Sequence, residues 1–280
     1  MRPKQLSMKA TLEDLASGRR YGVFIDDTGS PGAQASESGP HPERASWVGV
    51  VIPPSQMPEI LEQMPGAVEG LKEFIGASEF HCKDIFQGKG QFKHVDLQRR
   101  LGILAFIAHI FSLYRFPIFV QTFDPVNLSD IHRREPGFEN LKLGAFDFSK
   151  PKGAALFFLL IRIREFLLKK RQSPDHLARA FVDEGFIKGD RALFLPPWKD
   201  VLADGLLCST SSAKIFPLQL ADFAAYALNR QQILLGKPRL SPLDQALLRI
   251  LTTASLNFQN IPTVRVKIDK EGGWELGPPQ

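Results

Sequence analysis

Cysteine is nearly absent. Cys82 and Cys208 are the only two in 280 residues, far apart and outside any C-x-x-C spacing. That argues against a disulfide framework and against a zinc-thiolate site. No G-x-x-x-x-G-K-[ST] run occurs, which excludes a P-loop nucleotide hydrolase. Long apolar runs are missing as well. The strongest, Ala154 to Leu168, is broken by Arg162, Arg164 and Glu165, and it is shorter than the roughly 20 residues a membrane span needs. Met1 to Arg20 alternates charge and polarity without the apolar stretch of a secretory leader. These absences predict a cytoplasmic protein that enters no membrane. There is no internal repeat and no low-complexity tract.

Charge of one sign is only slightly in excess: 35 basic against 30 acidic residues, net +5, with a pI near 9.2. A basic balance suits a polyanionic partner, because Lys and Arg contacts to phosphate supply most non-specific nucleic-acid affinity. Basic pairs and triplets stand at Arg99-Arg100, Arg133-Arg134 and Lys169-Lys170-Arg171. Each reads as a solvated helix end or loop, and only a shared face would let them track a backbone. What the chain has in plenty is phenylalanine, 22 residues, within an ordinary 44% hydrophobic content. A chain of this length can bury a substantial core.

The order of elements predicts an α/β protein with a mixed sheet faced by helices. Tyr21 to Ile25 is a short apolar run that ends in Asp26-Asp27-Thr28-Gly29, a buried strand delivering two acids into a turn. After a Gly-, Pro- and Ser-rich connection, Trp47 to Ile52 makes a second strand, antiparallel to the first. Helical spacing covers Ser55 to Gly76 and Asp96 to Tyr114. Glu79 to Cys82 alternates like a brief strand, Lys83 to Lys93 reads as a polar loop, and Pro117 to Phe123 is a strand. The stretch from Asp124 to Lys152 reads as an irregular insertion with one helical turn. A buried helix over Gly153 to Lys170 and a strand over Ala178 to Val182 follow, the strand ending at Asp183-Glu184-Gly185. Asp190 to Leu202 reads as a weak helix broken by Pro196-Pro197. Pro217 to Leu235 and Ser241 to Leu256 are strong helices, the first with proline in its first turn and the second opened by a Ser-Pro-Leu-Asp cap. Ile261 to Ile268 alternates as a terminal strand. The domain layout expected is an extension over 1–19, one α/β domain over 20–270 with its insertion at about 124–152, and a tail over 271–280.

Two strands that both end in paired acids are the main chemical signal. Side chains alternate along a strand, so only one of Asp26 and Asp27 can face a shared site. Asp26 continues the apolar run and is the better candidate, with Asp27 and Glu184 in support. Turn capping accounts for each pair taken alone. Like charges brought together resist ionisation unless a cation lies between them. On the Pro217 helix, Gln219, Asp222, Tyr226 and Asn229 recur at three- and four-residue intervals and line one stripe. The rest of that helix is Ala and Leu, so Asp222 needs a cation or hydrogen-bond donors. Glu79 and His81, with Asp84 nearby, would share a strand face as a metal ligand and a proton-transfer group. A polar strand end with a solvated histidine is the bland alternative. His41, His94, His109, His132 and His176 show no ligand spacing, and His109 reads as a hydrogen-bonded core residue.

Four pieces together resemble the family called domain of unknown function 3800, whose members look like relatives of the ribonuclease H-like fold: Phe24 to Gly32, Glu79 to His81, Phe181 to Glu184 and Leu218 to Tyr226. Asp27 stands where that family often has Glu or Ser. The resemblance implies a ribonuclease H-like mixed sheet carrying Asp26 and Asp183, with Asp222 on a late helix. It further implies two Mg²⁺ or Mn²⁺ ions held by those acids, with Glu79 as a possible fourth ligand and His81 moving protons. Gln219 and Tyr226 would orient ligands or substrate from behind. The activity implied is metal-dependent phosphodiester hydrolysis on DNA or RNA. The competing class is a non-catalytic module that keeps the fold to bind nucleic acid or protein. An actin-like ATPase would need a second such domain, and a haloacid-dehalogenase-type phosphatase would need an acid at Thr28.

Overall fold

Val23, Phe24 and Ile25 are fully buried and lie next to Val48, Val50 and Val51 of an equally apolar neighbour, and this pair is the centre of the sheet. The computed structural model describes residues 8–28, 44–135, 137–143, 145–170, 173, 176–184, 186, 191–260, 266–268 and 274–276. Its first half runs α1 (Met8–Ala16), β1 (Gly22–Asp27), β2 (Ala45–Ile52), α2 (Met57–Ile75), α3 (Cys82–Gln87), α4 (Leu97–Tyr114), β3 (Pro117–Phe123) and α5 (Pro125–Arg134). The second half runs β4 (Lys142–Leu143), β5 (Phe146–Asp147), α6 (Pro151–Lys170), β6 (Ala178–Val182), β7 (Arg191–Phe194), β8 (Leu202–Ser209), α7 (Pro217–Leu235), α8 (Pro242–Thr253), β9 (Asn257–Phe258), β10 (Val266–Ile268) and β11 (Trp274–Leu276).

Seven strands form one mixed sheet in the order β7-β8-β6-β1-β2-β3-β9. β2 runs antiparallel to both of its neighbours, β1 and β3, whereas β6 runs parallel to β1 and β8 parallel to β6. The expected mixed α/β sheet is thus present. Alternation along β1 splits the core in two. Phe24 packs with α7, α4 and α2 on one face, while Val23 and Ile25 pack with α6 on the other. The phenylalanines concentrate on the α6 side, where Phe157 meets Phe146, Phe148 and Trp198 edge-on at 4.8–5.6 Å. Burying each such ring is worth roughly 1.5–3 kcal/mol. Gly49 on β2 lets α6 approach closely, since a Cβ there would stand 2.7 Å from Ile163 Cδ1.

Three sequence expectations fail. Glu79 to Cys82 is not a strand: it is extended chain leading into α3, and the supposed polar loop after it holds that helix and a short 3₁₀ turn at Gly90–Phe92. Of the helix expected over 190–202, residue 190 lies outside the described residues, and 191–202 hold β7, a 3₁₀ turn and the first residue of β8 instead. Asp204 and Gly205 adopt positive φ, 58° and 63°, inside β8, which breaks the period-two pattern that would have revealed a strand. Asp124 to Lys152 contains the ten-residue helix α5, closed by an Asp124–Asn127 capping box, rather than a single turn. α1 lies within the expected extension, and its Leu15 is fully buried. In the terminal stretch expected as a strand, only Val266–Ile268 is one, paired with β11; 261–265 lie outside the described residues. Among the described residues no helix is long and apolar enough to cross a membrane.

Candidate functional site

β1 and β6 are parallel with Ile25 opposite Val182, and the Asp183 N–H donates to the Ile25 carbonyl at 3.0 Å. Asp26 and Asp183 therefore leave the carboxyl ends of adjacent strands side by side. Both continue the face on which Phe24 and Phe181 stack at 5.5 Å. The carboxyl edge of such a sheet is where open α/β folds place their ligands. α7 crosses this face. Its Ala221, Ala224 and Ala225 are buried and small, which brings Asp222 down onto the end of β1. Asp27 turns the other way, onto the α6 face, and pairs with Lys152 Nζ at 2.5 Å. Of the two neighbouring acids, then, Asp26 joins the cluster.

The electrostatics follow from this crowding. Burial raises Asp26 well above the usual carboxylate range, and the charges of Asp222, Asp183 and Asp27 add to it; the Asp27 N–H, donated to Asp26 Oδ1 at 2.8 Å, opposes them. Asp222 is also raised by burial. The Cys82 N–H at 2.8 Å, the charge of His81 and the Cys82 thiol offset part of that rise, and Asp183 adds to it. Asp183 is raised by burial most of all, with Glu184, Asp27 and Glu79 contributing and the Glu184 N–H opposing. Glu184 itself is exposed, and its side chain acts on Asp183 through its charge.

Glu79 and His81 reach this cluster without sharing a strand face. Glu79 accepts the Ser212 hydroxyl at 3.1 Å, and its charge bears on both Asp183 and His81. His81 precedes α3 and sets Nδ1 3.0 Å from Asp84 Oδ2. Burial works to lower its pKa, but Asp222, Asp84 and Glu79 outweigh that and leave it raised. Gln219 fixes the whole segment: Oε1 accepts the Phe80 N–H at 2.7 Å and Nε2 donates to the Ser212 carbonyl at 3.1 Å. Tyr226 packs its ring 6.3 Å from Phe86, and burial pushes its hydroxyl far up, so it stays protonated.

Sequence reasoning missed Cys82, whose buried thiol and N–H both serve Asp222, and Ser212, which follows the unrecognised β8. The basic clusters, expected as solvated helix ends or loops, are in part committed within the fold. Arg100 is spent on the carbonyls of Ile85, Phe86 and Val95, Arg133 pairs with Asp130, and Arg99 with Asp96. α4 lies across the sheet from α5 and α6, so its Arg99-Arg100 pair shares no face with the other two clusters; Arg171 lies outside the described residues. His109 is exposed rather than in the core. A groove of about 580 Å³ opens between α2 and α4, lined by Leu71, Phe74, Phe80, Arg99 and Phe106, and holds none of the acids.

The fold and site define an α/β protein with an acidic cluster at the carboxyl edge of a mixed seven-stranded sheet. Comparison of the chain with protein-family models, with curated proteins and with solved structures found no match in any of the three. Among the described residues no three or more His, Cys, Asp or Glu side chains converge at metal-coordinating distance.

Proposed function

We propose that the chain is a metal-dependent phosphodiesterase acting on DNA or RNA, with Asp26, Asp183 and Asp222 as the ligands of Mg²⁺ or Mn²⁺. One observation carries the reading: three carboxylates from β1, β6 and α7 gather at one partly buried edge of the sheet, where desolvation raises all three, Asp222 and Asp183 add to the rise of Asp26, and Asp183 adds to that of Asp222. Such a set is unstable as anions alone and is relieved by a divalent cation. The donor chemistry fits, because hard oxygen ligands without thiolate or imidazole suit Mg²⁺ and Mn²⁺. The resemblance to the domain of unknown function 3800 family and its ribonuclease H-like relatives supports the same three residues. The two cysteines are free thiols, in keeping with a cytoplasmic setting.

Bound at this cluster, divalent ions would supply Lewis acidity and a water deprotonated near neutral pH. The chain's own residues do the rest. The Cys82 N–H and thiol fix the orientation of Asp222. Gln219 holds the backbone between Glu79 and His81, and Ser212 orients Glu79. His81, charged more readily because of Asp222 and Asp84, carries a proton to the leaving oxygen or takes one from the attacking water.

A second reading, a non-catalytic module that binds nucleic acid or protein, is favoured by the lack of a convergent coordination set among the described residues. Calorimetric titration of Mn²⁺ and Mg²⁺ into wild type, Asp26→Asn and Asp222→Asn, followed by a panel of labelled DNA and RNA, separates the two. Saturable binding lost in both variants, with cleavage that follows it, supports the enzyme. No binding at millimolar metal would sink it in favour of the module.

A further inference from the structure

Four polar atoms along α7 and beside it are buried without a hydrogen-bond partner: Tyr226 Oη, Asn229 Oδ1, Arg230 Nε and Arg44 Nε. Native folds hold few such groups, and four of the six in the described residues gather here, which needs an explanation. Three are donors, and two belong to guanidinium ions.

Their arrangement on the helix is ordered. At about 100° per residue, Tyr226 and Asn229 fall within about 40° of Asp222 and extend its stripe toward the carboxyl end of α7. Arg230 falls about 80° to one side, where its guanidinium lies 4.6 Å over the Phe86 ring of α3. Gln232 falls about 80° to the other, and there its Oε1 accepts from an Arg44 amino group at 2.7 Å. Asn229 Nδ2 donates to the Thr28 carbonyl at 3.4 Å, which ties the stripe to the end of β1 two residues beyond Asp26. Arg230 stands near enough to the Tyr226 hydroxyl to oppose its rise in pKa, without a hydrogen bond of ordinary geometry between them. Two cations thus flank a floor of Tyr226 and Asn229, and the floor leads directly to the acids.

We infer that this stretch of α7 is a subsite for a backbone phosphate of the nucleic acid, neighbouring the phosphodiester at the carboxylates, with Tyr226, Arg230 and Arg44 donating to its oxygens. It rests on the phosphodiesterase reading of the same site. A phosphate offers acceptors to all three orphan donors and balances the Arg230 charge, while Arg44 also feels the charge of Asp124. The single orphan acceptor, Asn229 Oδ1, is left for a sugar hydroxyl or a water. The geometry also gives the carboxylates a direction of approach: the strand runs from the acids along α7, between Phe86 and the end of β1.

The test is fluorescence anisotropy of 5′-labelled 12-nucleotide single-stranded DNA and RNA in EDTA, where neither metal nor cleavage contributes. Wild type is expected to bind. Tyr226→Phe should weaken binding about 3- to 10-fold, the loss of one hydrogen bond, while melting at or above the wild-type temperature, because it removes an orphan hydroxyl. Arg230→Gln should lower the slope of log K against log salt by about one, and Arg230→Lys should restore it. Inorganic phosphate should compete with the oligonucleotides. Wild-type affinity and salt slope in well-folded Tyr226→Phe and Arg230→Gln would overturn the subsite and leave the phosphodiesterase reading standing. Absence of wild-type binding also overturns the subsite, and the parent reading is then judged by metal titration and cleavage alone.

Discussion

Asp222 accepts the backbone N–H of Cys82 at 2.8 Å, fastening the start of α3 to the helix that carries the third acid. The bond couples position and chemistry: α3 cannot shift without moving His81, and Asp222 cannot rotate without orphaning a buried N–H. Asp222→Asn keeps an oxygen for that N–H and removes the charge. It is expected to melt at or above wild type in EDTA while losing metal affinity at least tenfold. Asp222→Ala loses the acceptor too and should cost about 1–3 kcal/mol, read by urea denaturation. Equal stability of the Asn and Ala variants would show that the N–H is satisfied some other way.

Stability should depend on pH with a sign set by the cluster. Folding raises Asp26, Asp183 and Asp222 above the usual 3.8. The folded chain therefore holds protons that the unfolded chain has released, and their contribution falls as pH climbs from about 4 through their raised values. His81 is raised above 6.5, so its contribution is complete below that pH and is lost as pH passes its folded value. Asp14 and Asp244, held low by Arg20 and Arg179 and by Lys237, pull the opposite way in acid, so differences between variants are the informative quantity. Melting curves in EDTA at half-unit steps from pH 4.5 to 8 should show wild type falling relative to Asp26→Asn, with His81→Gln removing only the part above about pH 6.5. Parallel curves for wild type and Asp26→Asn would contradict the burial of that acid.

Gln219 joins three separate stretches of chain through the Phe80 N–H and the Ser212 carbonyl. Gln219→Leu keeps the bulk and orphans both groups, at an expected cost of about 1–3 kcal/mol for each left buried. It should also loosen Glu79 and His81, so cleavage should drop more than the loss of folded protein explains. A fall in activity no larger than the fall in folded fraction would reduce Gln219 to a structural strut.

Gly153 sits where α6 begins against the β5 turn. A Cβ there would lie 2.4 Å from the Asp147 carbonyl oxygen and 2.8 Å from its nitrogen, both backbone atoms. Gly153→Ala should destabilise by about 1–3 kcal/mol through overpacking, whereas Gly66→Ala, with nothing within 4 Å, should be neutral or better. Thermal melts of the pair decide it.

The helices and inner strands were legible because their patterns are local. Pro117 to Phe123 and Ala178 to Val182 are apolar runs bounded by turn residues, and the predicted limits are those observed. The Asp26–Asp27 alternation told which acid faces α7 before any contact was known. Glu79 to Cys82 misled because its hydrogen bonds come from a distance. The Phe80 N–H goes to Gln219, 139 residues away, and not to a strand neighbour. β8 was hidden by its own bulge at Asp204 and Gly205. With it went Ser212 and the loop that orients Glu79. What sequence could not reach was side-chain economy: whether an arginine such as Arg100 is free or already committed to carbonyls depends on packing alone.

The three acids also have a calendar. They enter the chain in the order β1, β6, α7, and the bond that seats the last of them closes a loop of 140 residues. A chain that ends before α7 carries only two of the three carboxylates and lacks the helix that packs against β1 from the face of Phe24. Whatever the cluster does, it does only once the late helix has docked. Any chemistry proposed for the cluster therefore waits on α7, although α8 and β9 have still to follow it in the chain.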